Sequence, residues 1–268
     1  MKRAIIKGIL LGVIFAAALM ILSTVMNQGN TDMTTEMGEA TYPVLSMSVG
    51  TYRVGSLHGY AGAMDCAYLR DSLQPVGEDR RIRVQMDTYG RKIEEIAFEV
   101  RSLDGERLVE STRVQDYELK EDEITFEIIL KDLIENDTEY MLVFLVTPQE
   151  SAAIRYYSRI ILSDSLHIHE KLAYVMDFHN RTFDKEAAAE LTKYLESNSR
   201  LEDNSSFHTV NIHSSFRQIT WGDLGVREVG EPAMSLVEIA SQTASVLMDY
   251  MVATAEEQST TYYRVEEY

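Results

Sequence analysis

The residues best equipped for chemistry lie in "SLHIHEK" (165–171) and "DFHN" (177–180). On a strand, side chains two apart share a face, so His167 and His169 would sit about 7 Å apart. Imidazole and carboxylate together suit Zn²⁺, and Asp177 and His179 would complete a four-ligand set. The same residues serve equally as a solvated or hydrogen-bonded histidine pair at a junction, because no third ligand stands at a diagnostic spacing. His208 and His213 flank "TVNI" at odd spacing, which sends them to opposite faces of a strand. Trp221, the single tryptophan, could stack on a sugar or a partner, or anchor a second core.

No nucleophile or phosphate motif accompanies these residues. The chain contains no G-x-S-x-G, S-x-x-K, P-loop, G-x-G-x-x-G or H-E-x-x-H. No EF-hand loop is present, so the abundant carboxylates form no dedicated calcium motif. No cofactor is expected. Net charge is −18, and residues 1–26 hold three cations and no acids, so the remainder is more acidic still. That disfavours nucleic acid and anionic membrane surfaces as partners. Cys66 is the lone cysteine, so no intramolecular disulfide is available and stability must come from the core.

The elements that must position these groups begin with "GILLGVIFAAALMILSTVM" (8–26), nineteen residues without a charge, preceded by Lys2, Arg3 and Lys7. As a helix this run spans roughly 28 Å, close to the bilayer's hydrocarbon thickness. No small-x-small cleavage site follows it, so an uncleaved anchor is expected rather than a removed signal. Cations precede it and acids follow, which predicts a cytoplasmic N-terminus and an extracytoplasmic bulk. Gly8 and Gly12 form a small-xxx-small pair suited to close helix packing. The expected order is a cytoplasmic tail (1–7), a transmembrane signal anchor (8–26), a polar stalk (27–42) and a β segment (43–64). A β-sandwich (65–163) follows, then a C-terminal β-rich module (164–268) with an amphipathic helix at 184–197. The segment 43–64 is expected to pair with the C-terminal module, which makes the sandwich an insertion. The chain stops inside the strand-like run "TTYYRVEEY", as a terminal strand or as part of a longer protein.

The β reading rests on alternation. Ile82, Val84 and Met86 share a face, as do Ile96, Phe98 and Val100, and Ile124, Phe126 and Ile128. Asp104-Gly105 is a strong hairpin turn. "EYMLVFLV" (139–146) is apolar on both faces, as a central strand should be. Before that strand, "LIENDTEY" (133–140) is a polar corner leading to Tyr140. This resembles the E–F corner of fibronectin type III and related immunoglobulin-like domains, where a tyrosine hydroxyl bonds back to upstream backbone. The corner here carries Asn136-Asp137 where the family often has Pro and Gly, and the Trp often found on an earlier strand is absent. The resemblance implies a fold and an interaction role, and no chemistry.

The expected protein is a single-pass, membrane-anchored binding or assembly module of the cell envelope, mainly β, with an envelope protein as partner and no catalysis. The alternatives are an envelope hydrolase, a metal-dependent enzyme built on His167 and His169, and a carbohydrate-binding module using Trp221.

Overall fold

The computed structural model describes residues 7, 11–12, 15–20, 22–23, 42–131, 133–163, 165–184, 186–194, 220–221, 225–256 and 259–268. The chain divides into a unit of residues 1–35 and a compact unit of residues 36–268. In the first, Phe15–Met20 is helical. Here the reading of a transmembrane helix is corrected: among the described residues, no helix is long and apolar enough to cross a membrane. Crossing takes about 20 consecutive apolar residues in one helix. The described α-helix, α1 (Ile168–Phe183), has 16 residues and carries Glu170, Lys171, Asp177 and Arg181. Gly8 and the stalk up to residue 41 lie outside the described residues. Gly12 is exposed, and an added Cβ there would meet nothing within 4 Å among the described residues.

The second unit is mainly β. Its strands are β1 (Val44–Val49), β2 (Tyr52–Leu57), β3 (Leu73–Val76), β4 (Arg81–Asp87), β5 (Ile93–Ser102), β6 (Leu108–Arg113), β7 (Glu118–Lys120), β8 (Glu123–Ile129), β9 (Glu139–Pro148), β10 (Ile154–Leu162), β11 (Arg227–Ile239), β12 (Ala244–Glu256) and β13 (Ser259–Glu267). One sheet runs β13-β12-β11-β2-β1-β4-β8-β7, and the other β3-β10-β9-β5-β6. β1 pairs with both β2 and β4, and β2 pairs in parallel with β11 at Val54 and Met234. The segment 43–64 therefore joins the early strands to the late ones within one sheet.

The alternating side chains fill the space between the sheets. Ile82, Val84 and Met86 of β4 lie opposite Ile128, Phe126 and Ile124 of β8, all buried. Phe126 meets Phe144 of the other sheet edge to face, centroids 6.1 Å apart. β9 is covered on both faces. Tyr140, Leu142, Phe144 and Val146 enter the main core, while Met141 and Val143 pack with Cys66 and Tyr157. The Tyr140 hydroxyl accepts a hydrogen bond from the Glu135 amide at 3.2 Å, which ties the corner to the strand it feeds.

The β5–β6 hairpin turns at Asp104-Gly105. The Asp104 carboxylate accepts from the Glu106 amide, and Gly105 takes φ +79°. Hydrogen bonds from Ser102 and the Glu106 amide hold the Asp104 carboxyl below its ordinary range. Cys66 packs under this turn, and a Cβ on Gly105 would stand 2.7 Å from its Sγ. Burial pushes the Cys66 thiol up, which suits an inert core residue. Gly105→Ala combines a strained positive φ with that clash. It is expected to cost about 1–2 kcal/mol or more in urea unfolding, with Cys66→Ala in the same chain relieving part of the loss.

A buried arginine links the two sheets. Arg159 on β10 is 6% exposed. Its guanidinium donates to Glu139 of β9 at 3.0 Å, to the Arg70 carbonyl at 2.7 Å, and to the Val237 carbonyl of β11. Arg159→Met leaves three part-buried acceptors without their donor. A loss of about 3–5 kcal/mol is expected in denaturant unfolding, with β11–β13 loosening first by amide exchange.

Candidate functional site

α1 forms because Leu172, Val175, Met176, His179, Thr182 and Phe183 recur at three- and four-residue spacing and cover one face. That face packs on β2, β11 and β12 through Leu172, Met234, Leu236, Val246 and Met248. Lys171 donates to the carbonyls of Ala240 and Thr243 and fastens the helix to the β11–β12 turn. Asp184 ends the helix, and its carboxylate accepts from the Glu186 and Ala187 amides to start a 3₁₀ helix at Ala187–Tyr194. The regular α-helix thus lies ahead of the expected 184–197, and residues 195–197 lie outside the described residues.

This helix decides the histidines. His167 is the residue before α1, with φ +47°, and His169 sits in its first turn. His169 rests against Gly50, where an added Cβ would stand 2.1 Å from the imidazole Cε1. Asp177 is exposed and paired with Arg181 at 2.8 Å. His179 is buried, ten residues beyond His169, or about 15 Å along a helix axis. A helix also turns residues two apart onto different faces, where a strand would have kept His167 and His169 together. No group of three or more His, Cys, Asp or Glu able to hold a metal occurs among the described residues. His208, His213 and Asn204 lie outside them.

The structure instead gathers His179 and Trp221 with Phe183, Tyr250, Glu228 and Glu267. His179 Nε2 lies 2.9 Å from the Glu228 carboxylate, which as an acceptor requires a proton on that nitrogen. Its Nδ1 is buried with no hydrogen-bond partner among the described residues. The His179 ring meets Tyr250 at 4.6 Å and Phe183 at 5.2 Å, both edge to face. Trp221 stacks on Phe183 at 6.2 Å. Its Nε1–H donates to the Tyr250 hydroxyl at 2.9 Å, which donates to Glu267 at 3.0 Å. Burial, and next the Glu267 charge, push the Tyr250 hydroxyl far up, so it stays a donor at any ordinary pH. The sequence marked His179 and Trp221 for other roles. It carried no signal for Glu228 or Glu267, whose partners are reached only through the fold.

Two clefts lie at the late strands, and the first adjoins this cluster. One of about 310 Å³ lies between α1 and β12, lined by Tyr174, Phe178, His179, Val246, Met248 and Glu267 among others. A more polar one of about 280 Å³ lies where β2 and β10 meet the late strands, and includes Tyr60, Tyr157, Asp249 and Arg264. Arg264 bonds both oxygens of Asp249 and holds that carboxyl below its ordinary range.

No family model and no curated protein matches the chain. Among solved structures it is similar to a DUF3823 family protein from Bacteroides ovatus, at 9% identity and a TM-score of 0.26. The match covers 49% of this chain and 94% of that one. At that score the likeness carries no argument about fold or role.

Tyr250→Phe removes the hydroxyl that joins Trp221 to Glu267. It is expected to cost about 1–2 kcal/mol in urea unfolding and to shift Trp221 emission in the folded state. An unchanged spectrum would mean that the relay is not formed in solution.

Proposed function

We propose that the chain is a non-enzymatic binding and assembly module of the cell envelope, working outside the cytoplasm and engaging a protein partner along its β13 edge. The observation that carries this reading is that edge. β13 is the last strand of the eight-stranded sheet, nine residues long, and pairs on one side with β12 alone among the described residues. A strand so placed leaves a row of peptide groups for an extended segment to pair with. Tyr262 and Tyr263 stand on its two faces, 54% and 53% exposed, and tyrosines are common anchors at protein interfaces. The net charge of −18 favours a basic partner.

The immunoglobulin- or fibronectin-like class of the segment 65–163 belongs to the same proposal. It is supported by the Tyr140–Glu135 hydrogen bond, by the β4–β8 pair facing β10-β9-β5-β6, and by the parallel β3–β10 pairing. Work outside the cytoplasm is supported by the basic and then apolar start, an export pattern, ahead of an acidic remainder.

The test is crosslinking of the full chain in its native cells, followed by purification. A specific protein should co-purify, and Tyr262→Lys with Tyr263→Lys should remove it, since edge lysines block strand addition. Circular dichroism should stay unchanged. Capture undiminished by both substitutions would sink the edge reading, and exclusive capture of a second copy would turn it into self-association.

A further inference from the structure

We propose that the cleft between α1 and β12 binds a small organic ammonium, a compact aliphatic or aromatic body bearing one cationic nitrogen. Its volume of about 310 Å³ is at the lower end for ligand sites and suits a body of one ring or a short branched chain. Val246 and Met248 form an apolar floor from β12. Tyr174 and Phe178, one helical turn apart on α1, bring aromatic rings to the wall. The charge at the site is one-sided. Among the described residues, Glu267 contributes a carboxylate, no lysine or arginine lines the cleft, the His179 imidazole on its wall is engaged by Glu228, and no cation pairs with Glu267. Aromatic faces beside an uncompensated carboxylate attract a cation and repel an acid. A sugar would leave its hydroxyls against the apolar floor without partners.

The relay behind the cleft supplies a reporter. Glu267 accepts from Tyr250, which accepts from Trp221, the single tryptophan of the chain. A cation settling on Glu267 weakens the Tyr250 bond to it and is felt at the indole one hydroxyl away.

The full chain is titrated with phenethylammonium, by calorimetry and by Trp221 emission. Saturable binding with an emission change is expected, and 2-phenylethanol, the neutral analogue, should bind at least about tenfold more weakly. Glu267→Gln should weaken phenethylammonium by about ten- to a hundredfold. Ser245→Phe, at an exposed position on the cleft wall, should abolish binding by filling the space while far-UV dichroism stays unchanged. Binding that ignores Glu267→Gln, or a folded protein with no binding up to about 10 mM, a weaker range than any specific site of this size, overturns the proposal. So does a lysine-bearing peptide that binds through Glu267 where phenethylammonium does not, which would assign the cleft to a protein partner.

Discussion

The guanidinium of Arg159 is the contact on which the arrangement of residues 36–268 depends. Stripping water from a cation costs several kcal/mol, so it stays buried only where acceptors converge. Here a carboxylate of β9, a carbonyl of the loop before β3 and a carbonyl of β11 do so. Among the described residues its Nε has no hydrogen-bond partner, so the clamp acts through the terminal nitrogens. One side chain thereby holds the β10–β9 sheet against β11, and β11 sets the places of β12, β13 and α1. The backbone pairing between β2 and β11 is brief, with one register pair, so side-chain contacts must carry much of that junction.

The late strands form a second body of packing around α1. Apolar burial of Leu172, Met234, Leu236, Val246, Met248 and Val252 supplies the main driving force there. The polar groups set within it are paired almost throughout. His179 reaches Glu228, and Trp221 reaches Glu267 through Tyr250. The exception among the described residues is His179 Nδ1, which is buried without a hydrogen-bond partner. Such a group adds to the cost of the network, while the Nε2–Glu228 bond fixes the imidazole in one orientation. The ring edges of Phe183 and Tyr250 hold it from either side. The cluster therefore acts as a wall beside the cleft, and Glu267 brings its carboxylate to the cleft lining.

Several features were legible without coordinates because they depend on neighbours close in the chain. Strand alternation at 82–86, 96–100 and 124–128 needs only the period-two geometry of an extended backbone. The Asp104-Gly105 turn needs only a residue free to take positive φ. Tyr140 needs only a corner five residues upstream. The spacing of 172, 175, 176, 179 and 183 suits a helix, which the strand reading of the His-x-His pair passed over. Helical geometry instead carries His179 about 15 Å along the axis from His169, and no metal-holding group forms among the described residues.

By itself, then, the sequence determined the mainly β class, the hairpin turn, the two-faced central strand β9 and the acidic surface. Each follows from side-chain chemistry within about ten residues. Tertiary structure alone decided that β2 meets β11, that Arg159 clamps β11, and that Glu228 and Glu267 converge on His179 and Trp221. These partners lie 17 to 180 residues apart. Their meeting depends on which sheet edges and apolar faces remain open once the local elements exist, and no local pattern encodes that choice.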